Sequence, residues 1–186
     1  MDHYLDIQLL PDPEFPQSQL MNALCAKLHR TLANLDSTGI GISFPELHAT
    51  PTRLGGRLRL HGSAGNLRTL MAQDWLTGMR DHSRTGDIVP VPAECGQLEV
   101  RRVQAKSSPE RLRRRQMKRK GWSETEAREA IPDSAAEVLH LPYLELQSHS
   151  TGQRFRLFIS QRPSSRAVTG SFNAYGISTT ATVPSF

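Results

Sequence analysis

In the stretch SQLMNALCAKLHRTLANL a leucine recurs every four residues, at Leu20, Leu24, Leu28 and Leu32, with Met21 and Leu35 beside them. That spacing places one apolar stripe along a helix, and such a helix folds only if the stripe is covered. The flanking sequence supplies candidate covers. YLDIQLL alternates as a strand before the break at PDPEFP, and the runs GIGISF and GRLRLHG follow the helix across a loop rich in Pro, Thr and Gly. SAGNLRTLMAQDWLTGM then returns to helical spacing at Leu67, Leu70, Met71 and Trp75. The Pro-interrupted run IVPVP leads into QLEVRRVQA, in which Leu98, Val100 and Arg102 face opposite to Glu99, Arg101 and Val103 if the segment is extended. The order is strand, helix, strand, strand, helix, strand. It predicts an α+β protein with a ferredoxin-like βαββαβ N-terminal domain over residues 1–105.

Residues 106–186 read as a smaller α/β region. SSPERLRRRQMKRKG has the marks of a helix: Ser107 or Ser108 to cap it, Pro109 in its first turn, Glu110 near its N-terminus and Gly121 to end it. A second short helix from Ser123, with Glu126 placed for a capping box, ends before IPD. YLELQS, RFRLFIS and AVTGSFNAYGIS read as extended. Hydrophobic residues at 37% are enough for a folded core. The two cysteines, Cys25 and Cys95, lack metal or disulfide-scaffold spacing and fit a reducing cytoplasm. No export signal or membrane span is expected, because the start lacks a basic segment followed by an apolar run.

Charge is concentrated rather than spread. The formal net charge is +5, yet Arg101 to Lys120 holds ten basic residues against one acidic, which leaves the rest of the chain at −4. On the basic helix Arg111, Arg114, Arg115, Lys118 and Arg119 share one broad face, and Leu112 and Met117 lie on the other side. A solvated surface helix would have the same composition. Repulsion between Arg111, Arg115 and Arg119 at i,i+4 costs a few tenths of a kcal/mol per pair, roughly, and a polyanion would relieve it. The opposite face is too poor in bulky apolar residues for a lipid surface. Arg102 and Gln104, two apart at a strand end, suit the edges of G and A, or else form the wet face of a sheet. A DNA-binding regulator stays open on charge alone.

His29 lies just off the leucine stripe, where an imidazole is either a half-buried structural residue or a reactive one at the border of core and solvent. No HExxH motif, acidic cluster or Cys/His array offers a metal site, and RLGGR lacks the Lys-Thr or Lys-Ser of a nucleotide-binding loop. RNA carries its own nucleophile in the 2'-OH, so a histidine can take that proton while basic side chains neutralise the phosphorane. In SHSTGQRFRLFIS, Ser148, Ser150 and Thr151 sit at a turn, and Phe155 between Arg154 and Arg156 could set a ring beside phosphate-binding groups. A serine triad lacks its base and acid here.

MDHYLDI, the helix ending in KLHR, RVQAKSSPERLRRRQMKRK, SHSTGQRFRLFI and NAYGIS together resemble the CRISPR repeat-RNA endoribonucleases of type I-F systems, in order, at similar spacing and over essentially the whole chain. The resemblance implies a ferredoxin-like domain and an arginine-rich helix lying along the major groove of a repeat hairpin. It implies cleavage at the 3' base of the stem with no metal or cofactor, leaving a 2',3'-cyclic phosphate. The mature guide RNA would stay bound within the surveillance complex, and the chain alone would be a monomer. By the same resemblance His29 is the general base, Ser148 holds the nucleotide before the cut, and Tyr175 has a positioning role. Arg102 and Gln104 read lower-stem bases, Arg115 and Arg119 meet the groove and loop, and Phe155 stacks on the stem. RNA contacts are also expected from Arg111, Arg114, Lys118 and Ser150. Two positions depart from the family pattern. His149 is a rival imidazole beside Ser148, and VPSF stands where a Trp-Phe ending is expected. A descendant that binds the hairpin without cutting it is the main alternative.

Overall fold

The computed structural model describes residues 1–48, 52–104, 109–133, 139–148 and 151–186. Strand β1, His3–Leu9, alternates as its sequence requires, with Leu5, Ile7 and Leu9 buried. It is the centre of the first sheet. On one side it pairs with β3, Arg57–Gly62, which pairs in turn with β2, Gly41–Ser43; on the other lie β4, Ser83–Thr85, and β5, Val89–Pro90. The order is β2-β3-β1-β4, and all these pairings are antiparallel. Helix α1, Gln17–Asn34, buries Leu20, Met21, Leu24, Cys25, Leu28 and Leu32. Helix α2, Ala64–Met71, buries Leu67 and Leu70, and Ser63 caps it by accepting from the Asn66 amide.

A second sheet follows the order β7-β8-β6-β9, from β6, Gly96–Val103, β7, Tyr143–Gln147, β8, Arg154–Ser164, and β9, Val183–Ser185. Its buried face, Val100, Leu144, Leu146, Leu157 and Ile159, belongs to the same core as α1 and the first sheet. Gln161 ties the sheets together: its side-chain amide donates to the Phe44 carbonyl at 3.0 Å and accepts from the Phe44 amide at 2.9 Å. On the far face of the first sheet, Arg59 is buried and makes a two-pronged contact with Asp6, at 2.7 and 2.9 Å. Its guanidinium lies over the rings of Tyr4 and Phe186, so the aromatic end of VPSF packs there.

Tertiary contacts divide the chain into Met1–Val103 with Leu141–Phe186, and Gln104–His140. The expected region 106–186 is therefore not one unit. Residues 141–186 return to the first because β7 and β8 pair beside β6. Of the segment expected to close the first sheet, QLEVRRVQA, the part Gln97–Val103 sits in the second sheet, and the short β4 takes the place beside β1. Helix α2 ends at Met71, earlier than its apolar spacing suggests, with Trp75 buried in the turns that follow. AVTGSFNAYGIS is irregular rather than a strand, with one turn at Ala174–Gly176 braced by the Asn173 side chain, which accepts from the Tyr175 and Ile177 amides. The short strand β9 gave no alternating signal.

Within the second unit, α3, Pro109–Lys120, packs on α4, Glu124–Ala130. Gly121, at φ 69°, turns the chain out of α3, and Ser123 with Glu126 forms the expected capping box. The capping serines suggested for α3, Ser107 and Ser108, lie outside the described residues.

Buried His61 on β3 is 2.8 Å from the Ser43 hydroxyl through Nε2. Burial, reinforced by the Arg59 charge, pushes its pKa down to about 3. An unfolded histidine takes its proton near ~6.5, so acid favours the unfolded chain. The stability that rests on neutral His61 is complete above that pH and is lost towards about 3, by roughly 1.4 kcal/mol per pH unit. Urea titrations from pH 7 to 4 should show a shallower fall in unfolding free energy for His61→Gln than for the wild type. Equal slopes would count against this role.

Candidate active site

A cleft of about 390 Å³ opens between α1, the turn joining β7 to β8, and the turn Asn173–Gly176. His29, Ser148 and Tyr175, far apart in sequence, all line it. The leucine stripe explains the place of His29. With Leu28 and Leu32 buried, the residue after Leu28 falls at the edge of the core, half-buried.

Two contacts fix the imidazole. Nδ1 lies 3.0 Å from the Ala174 carbonyl, and the ring stacks on Tyr175 with centroids 3.8 Å apart and planes 6° from parallel. A carbonyl only accepts, so Nδ1 carries the hydrogen and the neutral ring keeps a lone pair on Nε2. That is the tautomer a base needs.

The Tyr175 turn is itself held in place. Its backbone amide donates to the Asn173 side chain at 2.8 Å, and the Gly176 carbonyl accepts from the Ile42 amide at 2.9 Å. Gly176 has φ 70°, and a Cβ there would stand 2.6 Å from Ile42 Cγ2. Ser148 follows β7. Its amide donates to the Gln153 carbonyl, its carbonyl accepts from Gly152, and its hydroxyl accepts from the Thr151 amide at 3.3 Å. Gly152, at φ 67°, completes this turn in open space. His149 and Ser150 lie outside the described residues.

The residues expected to touch RNA fall into two groups. In the first unit, exposed Arg102 lies with its guanidinium 6.0 Å over the Phe155 ring. Strand alternation sends Arg154 and Arg156 to the face opposite Phe155, which corrects the expectation that they flank its ring. Arg156 instead lies over Tyr143 and beside Glu145. In the second unit, Gln104 is exposed just past β6, and Arg111, Arg114, Arg115, Lys118 and Arg119 are exposed on α3. Sequence reasoning did not separate out Arg113. It donates to the Ile131 carbonyl at 2.8 Å and to Asp133 at 2.6 Å, which braces α3 against the end of α4. Its helical position, between Leu112 and Met117 and off the face shared by Arg111, Arg114 and Arg115, was the available signal.

Among the described residues no group of three or more His, Cys, Asp or Glu converges as metal ligands. Cys25 is no nucleophile, because burial pushes its thiol up to about 12. No described helix is long and apolar enough to cross a membrane.

Residues 4–186 match the profile of the CRISPR-associated protein family Cas_Csy4. The chain belongs to the Cas6/Csy4 family of CRISPR endoribonucleases. It is 53% identical, over the full length of both chains, to the CRISPR-associated endonuclease Cas6/Csy4 of Pseudomonas aeruginosa (strain UCBPP-PA14). It is 46% identical, again over both full lengths, to the protein so named in Escherichia coli (strain UTI89 / UPEC). Membership places it among the RNA-binding nucleases that process repeat RNA in type I-F systems.

The turn geometry separates two glycines that share a left-handed backbone. Gly176→Ala should lower Tm by about 2 to 8 °C from the torsional penalty alone, with the Ile42 contact adding to it. Gly152→Ala, with the same torsion in open space, should lose less. Thermal melts of the two variants compare them directly; an equal or smaller loss for Gly176→Ala would remove Ile42 from the support of the Tyr175 turn.

Proposed function

We propose that this protein is a metal-independent endoribonuclease that cuts CRISPR precursor RNA at the 3' base of the repeat hairpin. The 2'-OH attacks the adjacent phosphorus, the bond to the 5' oxygen breaks, and the products are a 2',3'-cyclic phosphate and a 5'-OH. The observation that carries this reading is the imidazole of His29, pinned through Nδ1 to Ala174 with Nε2 left as acceptor in a cleft shared with Ser148. His29 takes the 2'-OH proton as general base. Ser148 holds the nucleotide before the cut, and Tyr175 keeps the imidazole plane fixed by stacking. The order β2-β3-β1-β4 with two helices supports the ferredoxin-like assignment of the first sheet.

Binding is divided between two kinds of contact in this reading. The exposed face of α3, with Arg111, Arg114, Arg115, Lys118 and Arg119, meets hairpin phosphates and, near the loop, bases. Arg102 and Gln104 read base edges low in the stem, and Phe155, with Arg102 over its ring, stacks on the stem end. Ser150 adds a hydroxyl to the same contacts. After cleavage the guide RNA stays bound, and the protein joins the other subunits of the type I-F surveillance complex in the cytoplasm. The family relation supports the CRISPR RNA partner.

The chemistry is tested by replacing one ribose. Cleavage should proceed in EDTA and stop when the nucleotide upstream of the scissile phosphate is 2'-deoxy. His29→Ala should lose ~100-fold or more in single-turnover rate with hairpin affinity nearly unchanged. Cutting of the deoxy substrate would overturn the reading, and binding without any cutting by the wild type would favour a hairpin-binding protein.

Salt titrations test the division of binding. Arg114→Gln should weaken all hairpins alike and flatten the dependence of log Kd on log salt by about one unit or less. Arg113→Gln should instead lower thermal stability, because its guanidinium braces α3. Binding constants across a salt series, with melts of both variants, distinguish these roles. An Arg113 variant that loses salt dependence while keeping its stability would reverse them.

A further inference from the structure

Transesterification places extra negative charge on the two non-bridging oxygens as the 2' oxygen joins phosphorus, and a general base does nothing to stabilise it. Among the described residues lining the cleft of His29, Ser148 and Tyr175, Arg30 is the sole cation. It follows the general base on α1, so one helix turn presents both, His29 half-buried at the wall and Arg30 exposed at the rim. No hydrogen bond, ion pair or ring contact occupies its side chain among the described residues, whereas Arg57, Arg59, Arg80, Arg101, Arg113, Arg128 and Arg156 all have acidic partners. A fully charged guanidinium with its donor fork open beside a base is matched to a pair of phosphate oxygens.

We infer that Arg30 is a catalytic residue that binds the non-bridging oxygens of the scissile phosphate and stabilises the phosphorane. This rests on the transesterification reading above. The 2' oxygen bonds to phosphorus as its proton passes to His29 Nε2. The bond from phosphorus to the 5' oxygen then breaks, and the leaving oxygen gains a proton from water. Arg30 transfers no proton, because its guanidinium stays charged throughout. Its contact strengthens as charge builds on the oxygens, so it acts on rate more than on the binding of the hairpin.

The test combines variants of the full chain with sulfur substitution in the RNA. Arg30→Gln should lower the single-turnover rate by about 10²- to 10³-fold while the Kd for a 2'-deoxy hairpin changes by less than about 3-fold, and Arg30→Lys should recover part of the rate. With a single sulfur at either non-bridging position of the scissile phosphate, wild type should be slowed more by one diastereomer than by the other. That difference should shrink towards unity in Arg30→Gln, which a merely structural role would not do. A rate within about 3-fold of wild type, a fall in rate matched by an equal loss of affinity, or a sulfur effect unchanged in the variant would each overturn the assignment. Wild type serves as the control for the underlying reading. If it also cuts the 2'-deoxy hairpin, transesterification fails and the role of Arg30 fails with it. If it cuts only RNA bearing the 2'-OH and Arg30→Gln keeps full rate, the reaction stands and only Arg30 is misassigned.

Discussion

Burial of the α1 leucine stripe is the constraint on which the rest of the first unit depends. Leu24, Leu28 and Leu32 are essentially inaccessible and share one core with β1, β3 and the inner face of the second sheet. Each such side chain contributes on the order of 2 kcal/mol when removed from water, so rotation of α1 about its axis would expose several at once. That rotation is thereby fixed, and with it the direction in which His29 leaves the helix. The cleft is thus a consequence of packing: a hydrophobic pattern sets the azimuth of a polar residue.

The second requirement is that three distant segments reach that azimuth together. The Asn173–Gly176 turn is anchored to β2 through Ile42, and the Ser148 turn is carried on the hairpin of β7 and β8, whose inner face joins the same core. The Gln161 clasp on Phe44 holds the two sheets to each other by two hydrogen bonds. The His29 imidazole is held in one orientation by the fold itself, since Ala174 fixes its tautomer and Tyr175 its plane. The cost is that the site depends on two positive-φ glycines, Gly152 and Gly176, at which a side chain is strained.

The cationic helix follows a different logic. Its exposed face carries the charges, while Arg113 serves internal packing despite its residue type, and α4 supplies the support a short, charge-laden helix lacks on its own. Charge counting treats all seven basic residues of this stretch alike. Structure separates a brace from the exposed positions, because a guanidinium already bonded to Ile131 and Asp133 has fewer donors for any other acceptor.

Local pattern determined a good deal. The stripe of α1, the alternation of β1, the capping box of α4 and the exposed face of α3 all follow from the spacing of neighbouring residues, and the sequence itself holds that spacing. The resemblance brought His29, Ser148 and Tyr175 forward as a set, but nothing in their spacing shows that they meet. Tertiary structure alone decided that β6 joins the second sheet, that residues 141–186 return to the first unit, and that the Ala174 carbonyl meets Nδ1 of His29. Backbone carbonyls have no sequence signature, and strand partners are chosen by which faces can be buried together across the whole chain. Such contacts arise from long-range packing, which a local pattern constrains but does not specify.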